Sequence, residues 1–195
     1  MPNASTSFFG WVAFLLQKYG MLFLRGTGMT LLIALTGTAL GFVLSLLVAI
    51  IRTIALPEKK KAGSNAGVIV KRGLLRFVHM LMNVYIQVFR GTPMIVQAVV
   101  IYYGAQYAGV FMDTTFAAVF IISINTGAYM AEIIRGGIVS VDKGQFEAAH
   151  AIGMTHWQTM TTVVLPQAIR NILPSVGNEL IVNIKDSSVL NVISV

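Results

Sequence analysis

Cysteine is absent from the 195 residues, which removes disulfides, thiol-linked haem and thiolate metal sites from the possible chemistries. Charge is scarce too: 11% of residues are Asp, Glu, Lys or Arg, against 56% hydrophobic. Such a ratio describes a multi-span helical membrane protein rather than a soluble core. No G-x-x-x-x-G-K-[ST] sequence occurs, so the chain cannot supply an ATP site itself. The three histidines, His79, His150 and His156, lack the H-E-x-x-H spacing and read as interfacial or loop residues, not metal ligands. No Ser, His and Asp set argues for nucleophilic catalysis. No Lys or Arg precedes Lys18, so the basic start of a cleaved signal peptide is missing and the first apolar segment is expected to be retained. Asn3-Ala4-Ser5 matches the glycosylation sequon, a weak signal near a terminus.

What is present is a succession of apolar runs within one transmembrane domain, 1–195. Residues 8–19 place Phe8, Trp11, Val12, Leu15 and Leu16 at near-helical spacing over too short a length to span, which predicts an interfacial helix. Residues 29–51 carry no charge and are long enough for a first span. Gly37, Gly41, Ser45 and Ala49 recur there every four residues, a stripe of small side chains suited to close helix packing. The segment 52–92 collects Arg52, Lys59, Lys60, Lys61, Lys71, Arg72, Arg76 and Arg90, which places it in the cytoplasm. Its loop Pro57–Gly67 is polar, its lysines solvated or against anionic headgroups, and 68–89 reads as an amphipathic helix. Nucleic acid is not an expected partner, although the net charge is +7.

A second span is expected over 94–110, with Thr92 as cap and Pro93 opening the helix. Gln97 lies inside it, suited either to interhelical bonding or to substrate contact. The third span, 115–134, has Asn125, Tyr129 and Glu132 on one helical face. Glu132, near the end of that span, has Arg135 one turn on, which favours a local ion pair. The fourth span, 166–185, contains Pro174, expected to kink or unwind it. Beyond that kink come Asn178, Glu179 and Asn183. Glu179 falls near mid-membrane, where a carboxylate costs about 2.5–3.5 kcal/mol on insertion scales. It is therefore the best single candidate for a pathway residue, the alternative being a buried pair with a base such as Lys185. Lys185, Asp186, Ser187 and Ser188 read as a polar outer turn.

Between the third and fourth spans lies 140–165. Glu147-Ala148-Ala149 makes a helical start that another protein could approach closely, Gly153 allows a sharp turn, and Pro166 sits where a new helix could begin. Glu-Ala-Ala, three residues, Gly153, a nine-residue gap, then Val163-Val164-Leu165-Pro166 resembles the EAA loop of ABC importer permeases, with valine where isoleucine is usual. Arg90-Gly91-Thr92-Pro93 with Gln97, then Ala131 to Ile138, Lys143-Gly144-Gln145 and Lys185-Asp186-Ser187-Ser188 are similar to the polar amino acid uptake branch. The resemblance runs from about Gly20 onward.

It implies an all-α permease bundle, a fold with five spans in relatives against the four counted here. The chain would be non-catalytic, binding no cofactor, with ATP and Mg on a separate ATPase. Partners would be two ATPase subunits, a second permease copy or similar permease, an extracellular or periplasmic amino acid binding protein, and the lipid bilayer of a bacterial cytoplasmic membrane. Ala148, Ala149 and Gly153 would form the packing surface of a cytoplasmic coupling helix, with Glu147 as its polar contact. The absence of a fifth run suggests a truncated chain. A different class, a secondary transporter or channel, would use Glu132 and Glu179 as proton or ion sites but leaves the EAA segment unexplained.

Overall fold

The computed structural model describes residues 7–54 and 66–193; Asn3-Ala4-Ser5 and the lysines at 59–61 lie outside them. Among the described residues every regular element is helical. Helix α1 runs Phe8–Thr53 without a break. The predicted interfacial helix 8–19 and first span 29–51 are therefore one element, which runs helical through Gly20, Gly26 and Gly28. At 1.5 Å per residue its 46 residues extend about 69 Å, more than twice the roughly 30 Å hydrocarbon core. Its two halves differ in burial. Phe8, Phe9, Leu16, Met21, Leu22 and Leu24 are exposed, whereas Ile33, Ala34, Ser45 and Val48 are buried.

Helix α2, Ala66–Gly91, is followed after two residues by α3, Met94–Tyr107, at an angle of 113°. The 14 residues of α3 reach about 21 Å, too short to cross alone. The segment 68–89, expected as an amphipathic helix, is helical and forms the first arm of this bent pair, and it buries Ile86 against Val48 of α1 and Ala131. Helix α4, Thr114–Val139, opens on Asp113, whose carboxylate accepts from Phe116 N–H at 3.0 Å. After a connecting segment, helix α7, Leu165–Asp186, runs on through Pro174 into a 3-10 stretch, Ser187–Ile193. Lys185 to Ser188 thus continue a helical path and do not form an outer turn. By length and composition α1 and α4 can cross a membrane, with the bent α2–α3 pair as a third crossing. Helix α7, which covers the expected fourth span 166–185, is long enough to cross but more polar than these. Of its polar residues Glu179 and Asn183 are buried against the other helices, whereas Arg170, Asn171, Ser175, Asn178 and Lys185 are exposed.

The centre of the molecule is α4. Ala117, Ala118, Ile121 and Ile122 pack with Ile33 of α1, Ala98 of α3, and Leu190 and Ile193 of the 3-10 stretch. The most extensive helix pairing is α1 with α4, along the small-residue stripe. A Cβ on Gly41 would lie 2.7 Å from Thr126 Cβ and 2.9 Å from the Ser123 carbonyl oxygen, and one on Gly37 2.9 Å from Ile122 Cβ. Only glycine permits that approach.

Gly41→Val should therefore force the two helices apart and cost about 1–3 kcal/mol, the usual range for overpacking. Gly20→Ala, at a position with no atom within 4 Å, should leave the unfolding midpoint in detergent unchanged or slightly raised. Equal midpoints for the two variants would contradict the seam.

Candidate functional site

The bend between α2 and α3 is a built feature. Pro93 caps α3 in extended geometry, with its carbonyl accepting from Val96 and Gln97 N–H, and it precedes the helix instead of starting it. Thr92 does not cap: its hydroxyl donates to Val88 O at 2.8 Å. Gln97 holds the corner. Its Nε2 lies 2.9 Å from Phe89 O, 3.0 Å from Thr92 O and 2.8 Å from Thr92 Oγ1, and its Oε1 accepts from Asn125 Nδ2 at 3.0 Å. Of the two roles open to Gln97, this geometry is interhelical bonding.

The polar face of α4 receives the corner. Asn125 also reaches Phe89 O at 3.3 Å, Tyr129 donates its hydroxyl to Arg90 O at 3.4 Å, and the Arg90 guanidinium lies 5.5 Å from the Tyr129 ring centroid. Glu132, next on that face, does something else. Its Oε1 accepts from Arg52 Nη1 at 2.6 Å and its Oε2 from Arg135 Nε at 2.9 Å. The spacing to Arg135 was visible in sequence, but Arg52, eighty residues away, was not.

From the other side α7 approaches with two faces. Asn183, 2% exposed, donates to Thr38 Oγ1 at 2.8 Å and Thr126 Oγ1 at 2.9 Å, tying α1, α4 and α7 together. It is a structural bond and lines no cavity with the other candidates. Asn178 and Glu179 face a cavity of about 620 Å³, whose walls are Thr92–Ile95 at the corner, Asn125 and Tyr129 from α4, and Val182, Asp186 and Val189. Pockets for small ligands run to about 300–1,000 Å³. Glu179 is 7% exposed, and no base among the described residues forms an ion pair with it, Lys185 included. The lining carries two carboxylates, Glu179 and Asp186, and no cation. Asp186, read from sequence as part of an outer turn, is seven residues beyond Glu179, a spacing that returns to the same helical face.

The connecting segment forms a second constellation. Helix α5, Lys143–Ala151, starts four residues before Glu147, because Asp142 caps it by accepting from Gly144 N–H at 2.6 Å. It ends on Gly153 at φ 83°, with Gly153 N–H bonded to His150 O and Met154 N–H to Ala149 O, each at 3.0 Å. That pair of bonds is the Schellman stop. Thr155 and Gln158 then cap each other reciprocally at the one-turn helix α6, His156–Gln158. A π-helical turn, Thr159–Val164, carries the chain into α7, and Pro166 stands in the first turn of that helix, where it was expected. The wider turn precedes the residue that lacks an N–H donor.

Ala149 is 3% exposed and packs inside the chain, so it is not part of an outward surface. Glu147, Ala148 and Gly153 are exposed. Two residues that sequence reasoning passed over join them: Ile152 at 79% and Trp157 at 75% exposure. Their signal was two large apolar side chains in an otherwise polar stretch.

Residues 63–194 match the family described as binding-protein-dependent transport system inner membrane component. The chain is 40% identical over 176 residues to the glutamine transport system permease protein GlnP of Escherichia coli K12, covering 89% of this chain and 72% of that protein. It is 36% identical over 183 residues to a putative GlnP of Rickettsia prowazekii, covering 92% and 75%. A solved structure of an amino acid ABC transporter with histidines superposes with a TM-score of 0.81 at 36% identity, over 98% of this chain and 78% of that one. An inward-facing structure of the MetNI methionine ABC transporter shares the fold, with a TM-score of 0.63 at 22% identity over 89% and 76%.

Gln97→Leu should leave the carbonyls of Phe89 and Thr92 and the Asn125 amide short of partners, lowering stability by about 1–3 kcal/mol. Asn178→Ala, at an exposed cavity wall, should change it by no more than about 0.5 kcal/mol. Thermal unfolding in detergent compares the two. A neutral Gln97→Leu would show that the corner is held by something else.

Proposed function

The chain belongs to the family of binding-protein-dependent transport system inner membrane components, and from that premise we propose that it carries a polar amino acid through the cavity between the α2–α3 corner, α4 and α7. The chain is the permease subunit of an ABC importer. The relatives named above for glutamine favour an amino acid with a short polar side chain. The observation that carries the proposal is the pair of carboxylates, Glu179 and Asp186, lining a ligand-sized space with no cation. Every α-amino acid presents an ammonium to such a wall, and the amide of Asn178 suits a polar side chain or carboxylate, while Asn125, whose Nδ2 is spent on Phe89 and Gln97, offers its carbonyl oxygen alone. Glu132 has each carboxylate oxygen engaged by an arginine, which disfavours it as the ion site of the secondary-transporter reading.

In this proposal the outward surface of Glu147, Ala148, Ile152, Gly153 and Trp157 docks on a separate ATPase from the cytoplasmic side of a bacterial inner membrane. Ile152 and Trp157 supply the apolar anchors, Ala148 the close approach, and Glu147 the polar rim. ATP and Mg stay on that partner, and the permease hydrolyses nothing. A second permease copy or similar permease completes the pathway, and an external binding protein delivers the substrate. Force on the docked segment passes through the π turn directly into α7, which carries Glu179. One continuous helical path thus connects the docking surface to the cavity wall.

The test is ATP hydrolysis and glutamine uptake in proteoliposomes holding the permease with its ATPase and binding protein. Gly153→Val places a β-branched residue at φ 83° with no atom nearby to clash, so it should distort only the turn and abolish stimulated hydrolysis while membrane insertion survives. Glu179→Gln removes a charged hydrogen-bonding partner, worth roughly ten- to a hundred-fold in uptake, and should leave ATPase association intact. Unimpaired uptake in the Glu179 variant would remove the cavity from the proposed route. Uptake independent of ATP would overturn the whole reading.

A further inference from the structure

A second cavity, of about 210 Å³, lies between the end of α1 and the last turns of α4. It is separate from the candidate pathway and shares no residue with it. Arg52 and Arg135 stand at its wall, and Ala49, Ala131, Ile134, Ile138 and Val139 supply the apolar remainder. Both guanidiniums address one carboxylate, that of Glu132, and each uses a single nitrogen to do so. Among the described residues no second acidic side chain pairs with either. Among the described residues one positive charge is therefore left over, with most of the ten N–H donors of the two side chains unused there. Arg135 is 55% exposed and can turn toward an incoming anion.

The surroundings say what kind of anion fits. Five apolar side chains beside a guanidinium pair do not suit a freely hydrated ion. Val139, itself part of the cavity wall, is 69% exposed, and the cavity lies between two helices apolar enough to cross a membrane. A molecule with an anionic head and an aliphatic body meets both demands. Basic pockets between membrane helices near the interface bind acidic headgroups in this way. We infer that the Arg52–Arg135 cavity is a binding site for an anionic phospholipid, the phosphate on the free guanidinium donors, the glycerol in the cavity and the acyl chains running out past the exposed Val139. The site couples lipid composition to the α1–α4 contact, independently of which substrate is carried.

Lipid binding to the purified transporter is measured by native mass spectrometry and thermal unfolding, with phosphatidylglycerol, phosphatidylethanolamine, and inorganic phosphate with glycerol 3-phosphate as probes. Phosphatidylglycerol should bind roughly five-fold more tightly than phosphatidylethanolamine, the effect of about one interfacial basic charge. Arg135→Gln should bring that ratio near one while Glu132 keeps Arg52. Ala49→Phe should fill the cavity with both charges retained, and weaken phosphatidylglycerol to a similar extent. If one variant does not fold, the other decides. Equal binding of the two lipids to the wild type, a ratio unchanged in the folded variants, or full competition by the soluble phosphates would each overturn the assignment. Loss of ATPase assembly in Arg135→Gln with the lipid ratio intact would overturn it too, and would assign the arginines to a protein contact.

Discussion

The close approach of α1 to α4 is the constraint on which the rest of the structure depends. Gly37 and Gly41 bring backbone against the side chains of Ile122 and Thr126 at distances that no Cβ would allow. Between membrane helices there is little hydrophobic gain from association, so contact density of this kind has to supply the attraction. Once α4 is fixed on one side by α1, its other side is free to take the α2–α3 corner and α7. Gly127 extends the same logic: a Cβ there would lie 2.7 Å from Tyr85 Oη and 2.8 Å from Leu44 Cδ2. Tyr85 itself donates to Ile124 O at 2.6 Å, anchoring α2 to the middle of α4.

Polar groups within this apolar chain divide into those that hold it together and those left over. Gln97 and Asn125 close the corner, Asn183 joins three helices through Thr38 and Thr126, and Glu132 is clamped by Arg52 and Arg135. Each is satisfied by a partner on another element, as burial away from water demands. Glu179 has no such partner among the described residues, and it opens on a cavity instead. The contrast between satisfied and unsatisfied groups separates Glu179 from the other polar candidates more sharply than depth in the membrane does.

The segment between α4 and α7 is rigid by its own local chemistry. An Asp cap, a Schellman stop at Gly153, a reciprocal Thr155–Gln158 cap and a π turn follow one another within about twenty residues. Val141, Val164 and Ala168 pack with Phe146 and Met160 beneath it. A surface held this way transmits displacement as a unit, which suits a part whose proposed role is mechanical.

Sequence by itself determined the helical membrane class, the small-residue stripe, the order of the motifs and the turn at Gly153. These are set by composition, by i, i+4 spacing and by the φ freedom of glycine, all of which are local. It also grouped Asn125, Tyr129, Asn178 and Glu179 as polar residues on spans. Only the tertiary structure decided which of the polar residues share a space. It sent Gln97, Glu132 and Asn183 to structural bonds, added Asp186 to the cavity, and turned Ala149 inward from the docking face. It also joined the first two predicted helices into one and bent another pair by 113°. The reason is physical: the role of a polar group in an apolar medium depends on whether a partner from a distant part of the chain reaches it, and the nearest neighbours in sequence carry no record of that. Arg52 and Glu132, Thr38 and Asn183 meet only because α1 lies along α4.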